Sequence, residues 1–303
     1  MSGILLYMNG DRGRMTLNNL LKHGYKVSKI ILPMNCSIKP ILEEEDKVGN
    51  CRILEVGNCN ERQFIDYIHS IRPYLAIVAG FPQILSHELI SIPTNGTINL
   101  HGGKLPEYRG GSPLNWQIIN GESNIGISII KMDSGIDTGP LIYETSFKLK
   151  SYEDISDAHR KANDLFAELS FRALRALEDG SIKFHDQEEK DAVYWHQRNS
   201  NDGLINWDNM TAIKVINMVR ALNRPYPGAF SFRNGDKVKV YSASLPNITI
   251  KGVPGRVCYI NKKGPFVLCS DRAIMLHNYT IDRGKQREIT NLKLNHGDQL
   301  NCY

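Results

Sequence analysis

Short apolar runs alternate with amphipathic stretches through roughly the first 200 residues of the chain. The apolar runs are rich in Ile, Leu and Val and predict buried strands at residues 4–8, 26–32, 75–78, 96–100 and 127–130. Apolar residues at helical spacing predict helices at about residues 10–24, 61–71, 84–90 and 152–178. Strands that alternate with helices through short connections are typical of an α/β fold. We therefore predict a Rossmann-like open, mainly parallel sheet with helices on both faces.

The pattern changes after about residue 200. Turn signals separate short strand-like runs at residues 238–241, 256–260 and 266–269. One helix, at about residues 211–222, precedes these runs. Several short strands joined by turns predict a small β-barrel of the OB-like kind. We therefore expect two domains, an α/β domain at residues 1–200 and a C-terminal helix plus β-barrel domain at residues 201–303.

Composition and charge exclude several classes of protein. The net charge of +5 comes from 37 basic and 32 acidic residues spread along the chain, without the basic stripe of a nucleic-acid binder. The six cysteines form no C-x-x-C and no zinc spacing. No apolar run reaches membrane-spanning length, and the first residues lack the basic lead of a signal peptide. We expect a cytoplasmic protein with free thiols, no metal, no membrane and no nucleic-acid partner.

Polar residues follow the fourth and fifth predicted strands. The fourth strand leads through Asn99 and His101 into a glycine-rich loop. The fifth strand leads into the loop at residues 132–139, which carries Asp137. Strand alternation puts Asn99 and His101 on the same face. Because ligands bind beyond the carboxyl ends of the strands in an open α/β sheet, we expect these three side chains to converge there.

An amide, an imidazole and a carboxylate in one place suit the attack of an amine on a carbonyl carbon. The imidazole of His101 can take the proton of the attacking nitrogen, and the Asn99 amide can donate to the developing oxyanion. Asp137 can orient the imidazole and stabilise its charged form. No Ser or Cys is placed as a nucleophile, which favours direct transfer over a covalent enzyme intermediate. Each residue also has an ordinary alternative, as a strand-end hydrogen-bonding group, a structural histidine or a turn.

Several short motifs resemble the signature of the folate-dependent formyltransferases. The motifs are N-L-H at 99–101, L-P-x-Y-R-G at 105–110, Pro113, G-E at 121–122 and D-T-G at 137–139. This family includes methionyl-tRNA formyltransferase, glycinamide ribonucleotide formyltransferase and the sugar N-formyltransferases. The resemblance runs through essentially the whole chain, including P-G-A-F at 227–230 and the barrel that follows. It implies that residues 1–200 are the catalytic domain, that Asn99, His101 and Asp137 are the catalytic set, and that the donor is N10-formyltetrahydrofolate.

The same resemblance indicates where the donor binds. Similar enzymes hold the pterin ring at positions that in this chain are Gly80, Phe81, Pro82, Met132 and Asp133. A flat ring needs hydrogen bonds from a close backbone and an apolar wall, which suits Gly80 and Phe81. A strand end followed by a turn would show the same residues, so this alternative stays open.

Two further segments indicate the acceptor. P-L-N-W at 113–116 with I-N-G-E at 119–122, and V-R-A-L at 219–222 with P-Y-P-G-A-F at 225–230, are similar to enzymes that formylate UDP- or dTDP-linked 4-amino sugars. The resemblance therefore implies a nucleotide-linked 4-amino-deoxy sugar, used for a surface glycan. The candidate substrate contacts are Lys104, Tyr108, Arg109, Asn115, Trp116, Arg198 and Tyr226. A homodimer is common among similar enzymes, but no feature of this sequence establishes one.

The charged and aromatic candidates have alternative roles. Tyr226 lies between two prolines, which can present its ring to a pyrimidine or a sugar, or can pack a turn. Lys104 and Arg109 can contact a diphosphate, and Arg109 can instead hold its loop in shape. Arg198 can reach the nucleotide or belong to a turn at the domain boundary. Many relatives have Ser and Leu where this chain has Gly103 and Lys104, and this departure predicts a more flexible and more basic loop.

Other functions predict other features. A tRNA-formylating relative would carry a basic insertion after the second strand, where residues 33–46 are instead acidic. A hydrolase that releases formate from the same donor would carry a small domain ahead of the first strand, which begins at Ile4. A folate- or nucleotide-binding module without activity would be favoured only by a broken catalytic set. Gly10 and Gly13 do not form the G-x-G-x-x-G of a dinucleotide site, so NAD is excluded.

Overall fold

The chain divides into two units. The structure, a computed structural model, describes residues 3–44, 52–282 and 293–302. The first unit comprises residues 1–113, 124–147 and 159–195, and the second comprises residues 114–123, 148–158 and 196–303. We predicted one boundary near residue 200. The second unit also takes in two short stretches that lie within the predicted N-terminal domain.

The strands of the α/β part are short, and most are buried. They are β1 (Ile4–Met8), β2 (Val27–Pro33), β3 (Arg52–Val56), β4 (Leu75–Ala79), β5 (Thr97–His101), β6 (Arg109–Gly110), β7 (Asn124–Lys131), β8 (Leu141–Lys148) and β9 (Tyr194–Trp195). Seven of them form one sheet in the order β3-β2-β1-β4-β5-β7-β8, and β6 pairs with β9 in a separate ladder. Every residue of β1 and β4 is buried, as expected for central strands of a parallel sheet.

The direction of the strands is mainly parallel. The β1 strand pairs in parallel with β2 and β4, β2 with β3, and β4 with β5. The β7 strand, in contrast, runs antiparallel to β5, with Ile98 opposite Lys131 and His101 opposite Ser128. The predicted open, mainly parallel sheet is therefore confirmed.

Seven helices accompany the strands in the described residues. They are α1 (Gly10–Lys22), α2 (Lys39–Glu44), α3 (Arg62–Ile71), α4 (His87–Ser91), α5 (Pro113–Ile119), α6 (Ile155–Glu178) and α7 (Ala212–Ala221). Among the described residues, no helix combines the length and the apolar character needed to cross a membrane.

Helices cover both faces of the large sheet. A Cβ atom on Gly13 of α1 would lie 2.3 Å from the Cβ of Met8, so α1 packs closely on the face of β1 that carries Met8. Leu5 and Tyr7 point to the opposite face by strand alternation. There they join a buried cluster with side chains of α3 and α4. The predicted arrangement of helices on both faces is confirmed.

The second unit is built on an antiparallel sheet. Its strands are β10 (Ala229–Arg233), β11 (Asp236–Ser244), β12 (Val257–Asn261), β13 (Gly264–Leu268) and β14 (Ala273–Asp282), in the order β10-β11-β14-β13-β12. Near the end of the chain, Asn301 bridges to Phe232 in β10 and Gln299 bridges to Arg256 just before β12. Both edges of the sheet are thus bridged by one segment, which is how a barrel closes.

One helix supplies the core of this unit. Val215 and Val219 of α7 lie in a buried cluster with Val238 and Val240 of β11. Trp207 belongs to the same cluster, and its indole nitrogen donates to the Ser231 hydroxyl at 2.8 Å. The predicted β-rich C-terminal domain with a preceding helix is therefore confirmed.

Candidate active site

The three predicted catalytic side chains meet in the first unit. Asn99 Nδ2 donates to Asp137 Oδ1 at 3.3 Å, and His101 Nδ1 lies 3.3 Å from the same oxygen. The backbone N–H of Gly110 donates to the second oxygen, Oδ2, at 2.9 Å. Both oxygens of the carboxylate therefore have partners, and Asp137 is the common contact of the set.

The route by which Asp137 arrives differs from the one that the sequence predicted. Because β7 is antiparallel to β5, the loop that follows β7 starts beside the beginning of β5, where Met132 N donates to Thr97 O at 2.8 Å. The loop then brings Asp137 alongside Asn99 and His101. The set therefore forms by one loop reaching along β5, and not by two parallel strands that end at the same edge.

His101 has an acceptor at each ring nitrogen. Its Nε2 lies 2.6 Å from the backbone carbonyl oxygen of Tyr108, and the residue is only 5% exposed. A carbonyl oxygen can only accept, so this contact places a proton on Nε2. When the ring is neutral, this contact leaves the lone pair on Nδ1, the nitrogen beside Asp137. When the ring is charged, its Nδ1–H donates to the Asp137 carboxylate.

Asp137 is held in its ionised form. Burial by itself raises the pKa of this carboxyl group. The charge of His101 and the hydrogen bonds from His101, Gly110 and Asn99 outweigh burial, and together they hold the pKa below its ordinary value of 3.8. The site therefore carries a negative charge 3.3 Å from Nδ1 of His101.

The loop after β5 folds tightly over the imidazole. A Cβ on Gly103 would lie 2.6 Å from the Tyr108 carbonyl oxygen and 2.7 Å from His101 Nε2. The Ser128 hydroxyl also donates to the Gly103 carbonyl oxygen at 2.8 Å. The sequence predicted a more flexible loop from Gly103 and Lys104. At Gly103 the glycine instead allows a close approach that a side chain would prevent.

Arg12 is a contact of this site that the sequence analysis missed. Its Nη1 donates to the carbonyl oxygen of Leu100, between Asn99 and His101, at 3.0 Å. The pairing of β4 with β5 ends at Asn99, so this carbonyl lies beyond the end of the ladder. The Arg12 guanidinium also lies 4.7 Å from the centre of the Phe166 ring. The signal was Gly10-Asp-Arg-Gly13, which was considered only as a dinucleotide motif.

Arg109 has an internal set of partners. It is 0% exposed, and its Nη1 donates to Glu189 at 3.1 Å and to the Tyr194 hydroxyl at 2.9 Å. Its Nη2 donates to Glu189 at 2.6 Å, and its Nε donates to Gln187 at 3.1 Å. These contacts favour the second of the two roles considered for Arg109, holding its loop in shape, over contact with a diphosphate.

Lys104 and Tyr108 also have neighbours within the first unit. Lys104 is exposed and pairs with Glu107. The Tyr108 ring is buried and stacks on Trp195, with ring centres 5.7 Å apart and planes at 12°. Lys104 is therefore the predicted contact of this unit that solvent can reach, while Tyr108 contributes its backbone carbonyl to His101.

The candidate donor contacts lie on two loops. Phe81 is buried, and it shares an apolar cluster with the partly buried Met132. Gly80 is exposed with φ +75°, so its backbone turns outward directly after β4. Pro82 is exposed, and Asp133 accepts from the N–H of Gly135 and the hydroxyl of Thr138 within its own loop. An exposed backbone beside an apolar cluster fits the edge and the wall that a pterin ring needs. Gly80, Phe81 and Met132 would hold it.

The remaining candidates lie in the second unit. The Arg198 guanidinium lies 4.9 Å from the centre of the Trp116 ring. The centre of the His196 ring lies 5.0 Å from the centre of the same Trp116 ring, in an edge-on arrangement. Burial lowers the pKa of Arg198, while the nearby groups of Asp202 and Tyr226 oppose that shift. Trp116, His196 and Arg198 are thus neighbours, and Tyr226 lies within electrostatic range of Arg198.

Asn115 and Arg198 have backbone partners. Asn115 is 2% exposed, and its amide donates to the Ala221 carbonyl oxygen at 2.7 Å, so it offers almost no surface to a ligand. Arg198 donates to the Asp202 carbonyl oxygen at 2.9 Å in a capped turn that begins at Asn199. The turn that the sequence offered as an alternative role for Arg198 is therefore present, together with its contact on Trp116.

The remaining predictions concern metal ligands and cysteines in the described part of the chain. Among residues 3–44, 52–282 and 293–302, no group of three or more His, Cys, Asp or Glu is arranged to hold a metal. Cys36, Cys59, Cys258, Cys269 and Cys302 are free thiols. Cys51 lies outside the described residues.

The fold and the site together define a class of enzyme. An α/β domain in which an amide, an imidazole and a carboxylate meet, together with an antiparallel β domain, is consistent with the formyltransferase fold. Residues 39–174 match the formyl transferase family, and residues 198–295 match the C-terminal domain of formyl transferases. The chain belongs to the formyl transferase family, whose donor is formyl-tetrahydrofolate.

Relatives of similar length are named methionyl-tRNA formyltransferases. Methionyl-tRNA formyltransferase of Syntrophus aciditrophicus is 30% identical over 288 residues, which cover 93% of this chain and 92% of that protein. Methionyl-tRNA formyltransferase of Clostridium tetani is 32% identical over 241 residues, which cover 79% and 77%.

Solved structures show the same fold at lower identity. An N-formyltransferase from Helicobacter canadensis, in complex with folinic acid and dTDP-3-aminofucose, has a TM-score of 0.69 at 16% identity and covers 92% of this chain and 100% of that one. The sugar 3N-formyl transferase WlaRD has a TM-score of 0.68 at 19% identity, covering 91% and 97%. HypX from Aquifex aeolicus, in complex with tetrahydrofolic acid, has a TM-score of 0.66 at 20% identity, and this chain spans 45% of its length.

Proposed function

We propose that this formyltransferase acts on the amino group of a nucleotide-linked 4-amino-deoxy sugar, with UDP or dTDP as the nucleotide. The observation that carries the proposal is the cluster in the second unit where Arg198 and His196 contact the partly exposed ring of Trp116. An aromatic face offers stacking to a base, and a guanidinium beside it offers charge to a diphosphate. Tyr226, close enough to Arg198 to affect its pKa, adds a second ring.

Two solved structures of similar fold support a nucleotide-linked amino sugar, although their names place the amine at C3 and not at C4. The Helicobacter canadensis enzyme binds dTDP-3-aminofucose, and WlaRD is a sugar 3N-formyl transferase whose structure includes dTDP. Both cover more than nine-tenths of this chain. At their identities the likeness shows the fold alone, so the proposal depends on the residues around Trp116.

The catalytic set suggests how each side chain contributes. When bound, formyl-tetrahydrofolate supplies a formyl group whose carbonyl carbon an amine can attack. The Asn99 amide donates to the oxygen of that carbonyl as negative charge develops there. His101 takes the proton of the amine at Nδ1, because its Nε2 proton is held by the Tyr108 carbonyl oxygen. Asp137, ionised and 3.3 Å from Nδ1, stabilises the charged ring. His101 would then return the proton to N10 of the folate as the bond between N10 and the formyl carbon breaks, so that tetrahydrofolate leaves and no covalent enzyme intermediate is needed.

An acceptor panel tests the proposal. The enzyme is incubated with N10-formyltetrahydrofolate and with UDP- and dTDP-linked amino sugars, and formamide products are detected by mass spectrometry. We expect a product with at least one nucleotide-linked 4-amino sugar. No product with any member of the panel would remove the sugar acceptor.

The Trp116 cluster can be tested separately. We expect Trp116→Ala to raise the KM for the nucleotide sugar by about 5- to 100-fold, the usual effect of losing one base-stacking ring. Tyr259→Ala is the matched control, because Tyr259 is an aromatic residue of the same unit that is 50% exposed. Equal KM values for the two variants would mean that the base does not stack on Trp116.

Formylation of initiator methionyl-tRNA is the second candidate. The observation in its favour is sequence likeness, since relatives at 30% and 32% identity over most of the chain carry that name. Against it, residues 33–46 after β2 are acidic, where a tRNA-formylating relative would carry a basic insertion. The charge of Lys39 in this stretch is paired with Glu55 at 2.5 Å. Glu45 and Asp46 lie outside the described residues. Formylation of methionyl-tRNA, with tRNA binding that weakens steeply with salt, would select this candidate over the sugar.

We also propose that the enzyme acts in the cytoplasm. The free thiols of the described cysteines suit a reducing compartment. Localisation of a tagged chain by fractionation would test this, and recovery outside the cytoplasm would contradict it.

A further inference from the structure

The segment at residues 185–195, here called the clasp, contacts both loops that carry the catalytic set. His185 bridges to Leu141 after the Asp137 loop. Tyr194 and Trp195 pair with Arg109 and Gly110, next to the N–H group that binds the Asp137 carboxylate. The two catalytic loops are therefore joined through a third piece of chain that carries none of the three catalytic side chains.

Gln187 makes the central contacts of the clasp. Its side-chain Nε2 donates to the carbonyl oxygen of Asp137 at 2.8 Å and to that of Gly139 at 2.7 Å. Its side-chain oxygen accepts from Nε of Arg109 at 3.1 Å. One amide therefore binds the backbone of the Asp137 loop on one side and the residue before Gly110 on the other.

Arg109 fixes the position of the Gln187 amide. The guanidinium is fully buried and is bound by both oxygens of Glu189 and by the Tyr194 hydroxyl, two residues of the clasp. An Arg that is held on all sides presents its Nε in a fixed direction. The orientation of Gln187 follows, because the oxygen of its amide must face Arg109 and the nitrogen must face the Asp137 loop.

The backbone at Asp137 needs such support. Its φ is +55°, in the left-handed region that non-glycine residues occupy infrequently, although Asp adopts it more readily than most. Gln187 binds the carbonyl of this same residue. Gly139 closes the loop so tightly that a Cβ there would lie 1.8 Å from the Lys131 carbonyl oxygen. The direction of the Asp137 carboxylate is thus set by contacts on its backbone as well as on its side chain.

We propose that Gln187 is a positioning residue for Asp137, and that the clasp sets the rate of formyl transfer without touching either substrate. The inference rests on the catalytic role proposed for Asp137. Gln187 acts by holding the left-handed backbone, so that the carboxylate stays beside His101 and its pKa stays low. Arg109 acts through Gln187.

A double-mutant cycle tests whether Gln187 acts through Asp137. We expect Gln187→Ala to lower kcat by about 10- to 100-fold, as for a catalytic group displaced by about an ångström, with KM for donor and acceptor within about 2-fold. In an Asp137→Asn background the same change should cost less than about 2-fold, since the group that it positions is gone. Gln63→Ala is the control, because Gln63 is an exposed glutamine of α3.

The outcomes separate this inference from the catalytic proposal. If Asp137→Asn alone keeps near-normal turnover, the catalytic proposal fails. If Asp137→Asn is impaired while Gln187→Ala behaves like Gln63→Ala, the inference about Gln187 is wrong. Full, independent losses that multiply in the double variant would also overturn it, because they would show that Gln187 acts by another route.

Hydrogen exchange gives a readout that needs no acceptor. In Gln187→Ala we expect faster exchange in peptides that cover residues 133–139 and Gly110, whose N–H is bound to Asp137. Peptides of β1 and β4 should be unchanged, which shows that the variant is folded. Unchanged exchange at residues 133–139 and at Gly110 would contradict the proposal whatever the acceptor is.

Discussion

The carboxylate of Asp137 lies 3.3 Å from Nδ1 of His101, although His101 ends β5 and Asp137 lies in the loop that follows β7, a strand antiparallel to β5. The same oxygen accepts from Asn99, and the second oxygen accepts from the Gly110 backbone. The negative charge of the site is therefore the charge of the ionised Asp137 carboxylate.

Removing the charge of Asp137 tests this assignment. The pKa of Asp137 lies below its ordinary value, so its ionised form stabilises the folded protein above pH 3.8, and this contribution is lost as pH falls through the lowered pKa. In urea unfolding between pH 6 and pH 3, we expect the stability advantage of the wild type over Asp137→Asn to shrink below about pH 4. An advantage that grows on acidification would contradict the assignment.

His159 gives a second pH effect, at a higher pH. Burial first, and then the charge of Arg12, lower the pKa of His159 from 6.5 to about 4. Because the unfolded chain binds this proton more tightly, stability should fall as pH drops from 6.5 to 4, by up to about 3 kcal/mol. We expect His159→Gln to lose less stability over this range than the wild type. Parallel stability curves for the two proteins would show that His159 is not held neutral.

Arg12 should stabilise the end of β5. Arg12→Met leaves the Leu100 carbonyl without this donor, and we expect a loss of about 1–3 kcal/mol in the free energy of unfolding. Arg14→Met is the control, because Arg14 pairs with Asp11 at the surface, and a change of no more than about 0.5 kcal/mol is expected. Similar losses of unfolding free energy in both variants would mean that the hydrogen bond from Arg12 to Leu100 adds no measurable stability.

Gly103 should not tolerate a side chain. A Cβ would lie within 2.7 Å of both His101 Nε2 and the Tyr108 carbonyl oxygen, so Gly103→Ala must shift the contact that fixes the imidazole. We expect a loss of stability of about 1–3 kcal/mol and a lower kcat. Gly57→Ala is the matched control, since a Cβ there meets only the Met34 side chain, at 3.9 Å. Normal turnover of Gly103→Ala would show that the loop moves freely.

The sequence predicted the fold class because its apolar runs are strong. The five strands named from the first part of the chain all exist, and the helix periodicity of α3 and α6 matches their buried faces. It did not reveal β8, whose residues alternate between partly buried and exposed, as on a sheet edge. A run of apolar residues also carries no information about direction, so the antiparallel orientation of β7 was not foreseen.

The catalytic set was predicted by its motif, and its surroundings were not. Asn99 and His101 lie on one strand, so alternation relates them directly. For Arg109, in contrast, the sequence left two roles open, contact with a diphosphate or support of its own loop, because an Arg in a loop shows its charge but not its partners. Its ligands, Gln187 and Glu189, come from a distant stretch of polar residues without periodicity. Such contacts depend on the tertiary fold.

The most direct test of the catalytic account is the single-turnover rate of formyl transfer in Asn99→Ala and His101→Ala. We expect each rate to fall by about two to three orders of magnitude, the range for losing an oxyanion donor or a general base, with little change in substrate affinity. His87→Ala, at an exposed histidine of α4, should keep the wild-type rate. Near-normal rates in either catalytic variant, with loss only in binding, would contradict the roles assigned to these two residues.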